Sequence, residues 1–465
     1  MSELHDVLRQ LVARAGHWTE VRYHARRGRA LSVRQNEVVE MASQRTHGVG
    51  LRVLVDGTWG FAATSDLTAR GLERALERAE GMARALASVK KKRVRLAEGG
   101  ELARGDYLVP GYEELDAMPL EEKFRVVRES EAQIRASSDR IESASCRYTE
   151  AFEDKILVTS DGVDARVRLV RPSMRFNATG ADGALRTNGS DAVGGTGAWE
   201  CLFRNRSADA MIDQAAAGAV DQLAAPDAEG GRKRVILSPA MVGLLSHEAI
   251  GHTVEADFVS AGSVAKGKIG EMVASPLVTL RDSGVSEHAD GAGGILPVDD
   301  EGVVAGRTTI IENGRLVSYL HSRESAAEYG VEPTGNGRAF TYRDEPLIRM
   351  RNTYIEPGES ELDDMIAGID DGYFIDGPGG GQADATAEFM FGATRVRRIR
   401  DGKLGETMKQ LAVSGNAFDV LKSVDAVSKD FQWDLGSGYC GKGQPAKVDA
   451  GGPYVRCELM IGGAQ

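Results

Sequence analysis

Two histidines and a glutamate lie close together in the run SHEAIGHTVEAD, residues 246–257. Histidine nitrogens are frequent zinc ligands, and a glutamate beside such a ligand is a typical general base in metal-dependent peptide hydrolysis. The usual zinc peptidase helix carries its histidines four residues apart, as H-E-x-x-H. Here His247 and His252 are five apart, and Glu248 directly follows the first. The residue types therefore indicate zinc chemistry, and the spacing raises a geometric objection.

The objection concerns the directions of the two side chains. Residues five apart in a regular α-helix point about 140° away from each other, so both rings would not meet one ion. A π-helical turn is wider, brings residues i and i+5 toward one face, and tends to occur at functional sites. Gly251, directly before His252, makes such a distortion inexpensive. We therefore predict a metal site on condition that the helix is irregular near Ala249–His252. The alternative is a helix end whose Glu248 reaches solvent and whose His252 is hydrogen-bonded in the core.

Two histidines leave a tetrahedral zinc site short of a third protein ligand. Glu255 and Asp257 lie nearby in sequence and have suitable oxygen atoms. Cys440 lies in GSGYCGKGQP, where a glycine-rich loop would present a thiolate without steric crowding. Cys146 and Cys457 lie in alternating strand patterns and are predicted to pack in cores. The residues alone leave both Cys440 and Glu255 open as the third ligand.

Local signals place the two histidines on a helix over residues 239–255. RVIL, directly before it, is typical of a buried strand. Ser238 then supplies an N-cap, and Pro239 suits the first helical position. The apolar stripe of this helix continues onto Glu248 and His252, so we expect both to face inward. A buried carboxylate is costly unless it is paired or coordinated.

The rest of the chain indicates an α+β fold. Helical patterns occupy residues 4–15, 67–86, a stretch after Pro119, and 208–223; strand patterns occupy 51–63 and 141–176, with turns at Asp56-Gly57 and Asp161-Gly162. Residues 223–234, LAAPDAEGGRKR, have the composition of a linker. Beyond them, glycines punctuate short strands, hairpin signals occur at Asn313-Gly314 and Asp401-Gly402, and helical patterns are few.

We predict two domains from this change in pattern. Residues 1–226 would form an N-terminal α+β domain with an antiparallel sheet and long helices. Residues 232–465 would form a C-terminal, mainly antiparallel β domain that carries one metal-binding helix.

Composition excludes several classes of protein. The net charge of -12 argues against a nucleic-acid partner, because binding to phosphates requires a basic face. No apolar stretch approaches the length of a membrane span, so we expect no membrane association. Four scattered cysteines without a CxxC pair, and an N-terminal run unlike a signal peptide, indicate a reducing cytoplasm.

Several motifs together resemble the TldD/PmbA family of bacterial and archaeal metallopeptidases. They are SHEAIGHTVEAD, GEMVASP (270–276), PTGNGR (333–338), NTYIEPG (352–358), GGGQAD (379–384) and CGKGQ (440–444), in collinear order through the C-terminal half. The resemblance implies that His247, His252 and Cys440 bind a zinc ion and that Glu248 is the catalytic base. Since the chain keeps all four residues, it is similar to the catalytic, TldD-type subunit.

The resemblance also implies a substrate class and a partner. Family members cleave unfolded or extended peptides and form dimers, either with a second copy or with a PmbA/TldE-type subunit. Two alternatives stay open: a non-catalytic binding or modulator protein, and a zinc amidohydrolase that acts on small amides.

The sequence does not identify substrate-binding residues. His321, Tyr319 and Arg338 are candidates for oxyanion stabilisation, although each is also typical of a surface or packing residue. The stretch DGPGGGQAD (376–384) lacks the lysine and hydroxyl residue of a phosphate loop, so we predict a flexible turn. Its alternative role is close backbone approach to a substrate, because glycine removes side-chain obstruction.

Overall fold

The structure, a computed structural model, describes residues 2–462 and has an α+β fold, as predicted. In the N-terminal half the helices and strands are α1 (Ser2–Arg14), β1 (Trp18–Arg34), β2 (Glu37–Val55), β3 (Thr58–Thr64), α2 (Ala69–Ala87), β4 (Arg104–Leu108), α3 (Tyr112–Ala117), α4 (Leu120–Ala136), β5 (Ile141–Thr159), β6 (Asp164–Asp182), β7 (Leu185–Gly194), a 3₁₀-helix (Trp199–Leu202) and α5 (Ala208–Asp221).

One large sheet forms the centre of this half. Its strand order is β3-β2-β1-β5-β6-β4, with β7 also paired to β6, and only the β4–β6 pairing is parallel. Apolar residues of α4 and α5 pack on β1, β5 and β6 around Leu31 and Phe176. Those of α1 and α2 pack against β1, β2 and β5 around Val21 and Val49.

The predicted turn at Asp56-Gly57 is confirmed, but the strand before it is much longer than the prediction. β2 begins at Glu37, whereas the first of the two short strands predicted within 51–63 begins at Leu51. Residues 37–47 are exposed or half-exposed throughout, so they lack the apolar alternation by which a strand is recognised.

The C-terminal half contains more strands, most of them short. Its elements are β8 (Gly231–Leu237), α6 (Pro239–Leu244), a π-helix (Leu245–Gly251), a 3₁₀-helix (His252–Val254), α7 (Ala256–Ala261), β9 (Leu280–Ser283), β10 (Arg307–Glu312), β11 (Arg315–Leu316), α8 (Arg323–Tyr329), β12 (Gly337–Arg338), β13 (Leu347–Ile348), β14 (Asn352–Ile355), α9 (Leu362–Ala367), β15 (Asp371–Ala383), β16 (Glu388–Arg400), β17 (Lys403–Met408), β18 (Leu411–Asn416), α10 (Ala417–Lys422), β19 (Ala426–Val427), β20 (Gln432–Trp433), β21 (Tyr439–Gly441), β22 (Pro445–Lys447), β23 (Asp449–Gly452) and β24 (Val455–Ile461).

Two sheets enclose the predicted metal-binding helix. One has the order β11-β10-β9-β14-β23-β20; in the other, β15, β8, β24, β18 and β16 pair in a closed ring, since β16 pairs back to β15. Most pairings are antiparallel, as predicted, but β14–β23 and β15–β8 are parallel. Both parallel pairs join strands distant in sequence, which no local signal predicts.

Buried charges join the two halves. Lys155 on β5 contacts Asp300 at 2.8 Å, and Arg52 on β2 contacts Glu301 at 3.0 Å. All four side chains are nearly inaccessible to solvent, so these pairs hold the N-terminal sheet in a fixed position against the C-terminal half. None of the helices that the structure describes combines the length and apolar character needed to cross a membrane.

Candidate metal centre

The helix predicted over 239–255 has three consecutive geometries. It begins as an α-helix at Pro239, widens to a π-helix over Leu245–Gly251, and tightens to a 3₁₀-helix over His252–Val254. The Ser238 hydroxyl accepts a hydrogen bond from the Met241 N–H at the helix start, so the predicted N-cap is confirmed. The predicted irregularity near Ala249–His252 is also confirmed.

The π-helix brings the two histidines together with Cys440. Donor atoms of His247, His252 and Cys440 all lie within 4.8 Å of one another. The two imidazole rings have centroids 5.3 Å apart and are nearly perpendicular, at 81°. His252 Nε2 lies 3.1 Å from Cys440 Sγ. A spacing that a regular helix would separate is thus accommodated by the wider turn.

Gly251 packs directly against the buried side chain of Met350. A Cβ added there would lie 1.9 Å from Met350 Sδ, far inside van der Waals contact. Earlier on the same helix, a Cβ on Gly243 would meet the backbone of Ala450 at 2.8 Å. Gly243 thus lets the helix approach β23 closely, and Gly251 lets it approach the Met350 side chain between β13 and β14.

Cys440 lies on a short hairpin, β21–β22, where the sequence predicted a loop. Its carbonyl accepts a hydrogen bond of 2.8 Å from Arg349 Nη2, and Arg349 Nη1 donates to the Gln444 carbonyl at 2.6 Å. Arg349 is 1% exposed. A buried guanidinium therefore holds β21 at Cys440 and the turn directly before β22, and so sets the position of the thiol.

The electrostatic setting of Cys440 differs from that of the other cysteines. Burial alone would raise the pKa of Cys440, but the adjacent imidazoles of His247 and His252 overcome it and lower the pKa to about 5. Burial raises the pKa of each of the three other thiols to about 12: Cys146, Cys201 and Cys457. As predicted, Cys146 and Cys457 are buried on strands.

His247 provides a test of whether a metal ion fits this cluster. The residue is 3% exposed, and neither of its ring nitrogens has a hydrogen-bond partner among the described residues. Buried polar atoms are nearly always satisfied. Two imidazole nitrogens and one thiolate are a donor set that zinc prefers, and three protein ligands leave a fourth position open. The residues present therefore fit a zinc ion.

Glu255 and Asp257, the open alternatives for the third ligand, lie on the far side of His252. Glu255 Oε2 is 3.1 Å from His252 Nδ1 and 2.7 Å from Lys442 Nζ. Asp257 contacts the same Lys442 at 2.7 Å. Burial would raise the pKa of Glu255, but His252 and Lys442 hold it below its ordinary value. Neither carboxylate belongs to the group of three converging donors.

Glu248 does not have the buried position that the apolar stripe predicted. Its side chain is 35% exposed, and Oε2 lies 3.7 Å from His252 Nε2. The π-helix causes this difference, because its wider turn rotates Glu248 away from the core and toward a cavity. Glu248, His247 and Cys440 all line that cavity, whose volume is about 260 Å³.

The cavity lies between the two halves of the chain. Arg175 and Asp191 reach it from β6 and β7, and Arg395 and Asp434 reach it from the C-terminal half. Burial raises the pKa of Asp434 to about 7, although Arg206 opposes the shift. Sequence reasoning missed these charged residues, because they come from four separated segments and none lies in a recognisable motif.

The glycine-rich stretch at 376–384 is mostly part of a strand, so the predicted flexible turn is wrong. β15 continues through Ala383 and pairs with β16, with an irregularity between Pro378 and Gly381. Its pairing with β8 ends at Ile375. From 376 to 383 the opposite edge of β15 has no strand partner among residues 2–462. Gly377–Gly379 lines the cavity beside the histidines.

The three candidates for oxyanion stabilisation lie elsewhere. His321 Nδ1 is 3.1 Å from Ser325 Oγ, and the Tyr319 hydroxyl donates to the Ala265 carbonyl at 2.7 Å. Arg338 is buried and donates to the Lys447 carbonyl at 2.5 Å. None of the three lines the cavity, so the structure does not bring them to the metal centre.

Family models match three stretches of the chain. The PmbA/TldA metallopeptidase domain 1 matches residues 19–83, the central domain matches 113–223, and the C-terminal domain matches 230–463. The chain belongs to the PmbA/TldD metallopeptidase family. The resemblance noted in the sequence is thereby confirmed.

Relatives within the PmbA/TldD family span nearly the whole chain. A metalloprotease of Methanothermobacter thermautotrophicus is 34% identical over 96% of this chain and 95% of its own length. A zinc metalloprotease TldD homolog of Saccharolobus solfataricus is 28% identical over 90% of each chain. The crystal structure of TldE from Thermococcus kodakarensis is 21% identical and superposes with a TM-score of 0.81, covering 99% of this chain and 100% of that one. At that identity, the likeness to TldE shows a shared fold.

Proposed function

We propose that this protein is a zinc-dependent peptidase that hydrolyses unfolded or extended peptides. In this proposal His247, His252 and Cys440 hold the zinc ion, and Glu248 is the general base. The observation that carries the proposal is the convergence of the three donors around His247, whose buried ring nitrogens lack partners, beside a carboxylate that faces an open cavity. The naming of a relative as a zinc metalloprotease supports the choice of metal.

The side chains around the proposed ion have separate tasks. Zinc, when bound, would polarise a water molecule and the scissile carbonyl. Glu248 Oε2 lies 3.7 Å from His252 Nε2, so the carboxylate would reach a water molecule held beside that ligand. Its partial exposure lets it accept the water proton and pass it to the leaving amine. Glu255 accepts from His252 Nδ1 and so directs Nε2 toward Cys440.

The free edge of β15 supports an extended peptide as the substrate. Among the described residues, 376–383 have no strand partner on the side away from β16, and Gly377–Gly379 lines the cavity beside the histidines. An extended peptide binds such an edge as an added strand. At Gly380 nothing lies within 4 Å of an added Cβ, so the face of the strand is open at that position.

We also propose a cytoplasmic dimer, formed with a second copy or with a PmbA/TldE-type subunit.

The division of the chain into 1–226 and 232–465 is part of the same proposal, and the last three residues of the second range lie outside the described residues. The cavity between the halves then requires both domains, because Asp191 comes from the first and Cys440 from the second.

The substitution Glu248→Ala tests the proposed mechanism. We expect one zinc ion per chain to remain bound, because a non-ligand is removed, and hydrolysis of an unstructured peptide to fall by about 10²–10⁴-fold. Glu312→Gln, an exposed glutamate at the end of β10, is the control and should retain activity. Loss of zinc would make Glu248 a ligand, and retained hydrolysis would assign the base to another group.

Peptides of graded length distinguish the proposal from its two rivals. A peptidase that uses the β15 edge should gain in kcat/KM as the peptide lengthens along that edge. Equal rates on small amides and on long peptides would favour an amidohydrolase. Zinc binding without hydrolysis of any of these substrates would favour a binding protein.

A further inference from the structure

We propose that a small cavity between the two halves of the chain binds one chloride-sized anion. The cavity has a volume of about 20 Å³, and its lining includes residues of β5 and β6 and of the hairpin β21–β22. Among the described residues, it shares only Tyr439 with the cavity beside the histidines. The inference does not depend on the proposed zinc chemistry.

The first observation is an excess of positive charge around this cavity. Its lining contains four buried cations and two buried carboxylates: Lys155, Arg171, Arg338, Lys447, Glu153 and Asp300. Both carboxylates already accept hydrogen bonds from cations. Asp300 accepts from Lys155 Nζ at 2.8 Å, and Glu153 accepts from Arg171 Nη1 at 2.8 Å. The lining therefore provides no counter-charge for Arg338 and Lys447.

Arg338 and Lys447 donate to backbone carbonyls instead of carboxylates. Arg338 Nη2 donates to the Lys447 carbonyl at 2.5 Å, and Nη1 donates to the Met350 carbonyl. Lys447 Nζ donates to the Gly436 carbonyl. Within residues 2–462 neither cation forms an ion pair with a carboxylate. Burying a charge is costly without a compensating charge nearby, so an anion between them would stabilise both.

The two cations are also close enough to Arg171 to be affected by its charge. Burial lowers the pKa of both Arg338 and Lys447, and the guanidinium of Arg171 lowers both pKa values further. Asp449 opposes the shift at Lys447, but it does not line the cavity. Like charges that repel one another across a cavity favour an anion inside it.

The second observation is a buried donor without an acceptor. Arg171 is 4% exposed, and its Nε has no hydrogen-bond partner among the described residues. Its Nη1 donates to Glu153, and its Nη2 donates to the Ile295 carbonyl at 3.0 Å. Buried N–H groups are nearly always paired. An anion in the cavity would accept from such a donor through a charge-assisted hydrogen bond.

The size of the cavity selects a monatomic anion. A single water-sized sphere needs about 10–15 Å³, so 20 Å³ accommodates one atom of chloride size and excludes sulfate and phosphate. Phe340, Tyr439 and Pro445 also line the cavity and are partly exposed. They give a small ion a path from solvent, and we therefore assign the site to a halide.

A bound halide would join the two halves of the chain. Arg171 comes from β6 in the first half, whereas Lys447 comes from β22 in the second. Lys447 lies opposite Tyr439 in the hairpin that carries Cys440. An anion shared by Arg171 and Lys447 should therefore stabilise the whole fold and the position of this hairpin.

Thermal unfolding of the full chain in sodium chloride and in sodium gluconate, at equal ionic strength, tests the site in solution. Gluconate is too large for the cavity. We expect the unfolding midpoint to rise by about 2–4 °C as chloride saturates one site. Lys447→Met removes one cation and keeps the side-chain length, so it should weaken chloride binding by about 10–100-fold. Lys92→Met is the matched control, because Lys92 pairs with Glu328 on the surface, and it should keep the wild-type response.

A second variant should change chloride binding in the opposite direction. Glu153→Gln keeps an oxygen that accepts from Arg171 but removes a negative charge from the lining, so it should tighten chloride binding. A general folding defect would weaken binding in both variants. Equal midpoints in chloride and gluconate, an unchanged chloride response in Lys447→Met, or weaker binding in Glu153→Gln would overturn the proposal.

Crystals of the full chain soaked in sodium bromide locate the ion directly. Diffraction data collected at the bromine absorption edge should show an anomalous peak in the cavity beside Arg171. A cavity without a peak would contain water, and a peak only at the open position of the zinc site would assign the halide to that metal. A peak in the cavity without stabilisation by chloride in solution would indicate an adventitious ion only. Each of these three results would overturn the proposed site, and none of them would contradict the proposed peptidase.

Discussion

Glutamine in place of Glu255 tests how the protein tunes its proposed zinc ligands. Glu255 is fully buried, and its carboxylate accepts from His252 Nδ1 at 3.1 Å and from Lys442 Nζ at 2.7 Å. The amide oxygen of glutamine can still accept from His252, so the ring keeps its orientation. The substitution removes the negative charge that makes His252 a stronger donor. Lys442 retains Asp257, at 2.7 Å, as a partner for its charge.

The size of the effect follows from this geometry. Loss of a partner of this kind typically weakens metal binding by about 10–100-fold, which corresponds to ~1.4–2.8 kcal/mol. We expect Glu255→Gln to fall in that range and to keep hydrolytic activity when zinc is saturating. Full loss of a ligand should be far more severe, so Cys440→Ser provides the upper reference.

Competition with a chromogenic chelator measures the zinc dissociation constant of each variant. Glu271→Gln is the control, because Glu271 is exposed and forms only a surface ion pair with Lys268 at 3.5 Å. A loss for Glu255→Gln as large as that for Cys440→Ser would make Glu255 a ligand. Unchanged affinity would show that the contact with His252 contributes nothing to metal binding.

Three further predictions concern reactivity, pH and packing. In zinc-free protein at pH 6, iodoacetamide should label Cys440 and spare the other thiols, as read by peptide mass spectrometry, because its pKa is lowered to about 5. Burial raises the pKa of Asp434 in the folded protein to about 7, whereas an unfolded aspartate has a pKa of about 3.9. The protonated side chain therefore contributes to the unfolding free energy below pH 4, and this contribution is lost as the pH rises through 7. Asp434→Asn should therefore raise the unfolding free energy at pH 8, by up to ~4 kcal/mol, and change it little at pH 4; an equal effect at both pH values in urea titrations would contradict this. Gly251→Ala should cost about 1–3 kcal/mol through overpacking against Met350, whereas Gly81→Ala, with open space around it on α2, should stabilise the fold by about 0.5–1 kcal/mol in thermal unfolding.

Local sequence signals predicted those parts of the fold that depend on neighbouring residues. The cap at Ser238, the turn at Asp56-Gly57 and the distortion before His252 are all properties of a few consecutive residues. The short helices α7 and α8 carry no comparable pattern and were not predicted. The exposed portion of β2 was not predicted for the same reason.

The site residues that are close in sequence could be predicted, and the distant ones could not. The histidine pair could be identified because one helix carries both residues, but Cys440 lies 188 residues further along the chain from His252. Spacing cannot connect them, and the family resemblance supplied the third member. The predicted inward direction of the Glu248 side chain was wrong, because a helical period of 3.6 residues does not apply within a π-helix. Asp434 reaches the cavity only through tertiary packing.

Hydrolysis of an unstructured peptide during a zinc titration of metal-free protein tests the central claim most directly. The site formed by His247, His252 and Cys440 predicts no activity without zinc and a linear rise that saturates at one equivalent per chain. Activity that survives complete removal of zinc, or that saturates with no relation to the amount of metal bound, would contradict the proposed zinc peptidase.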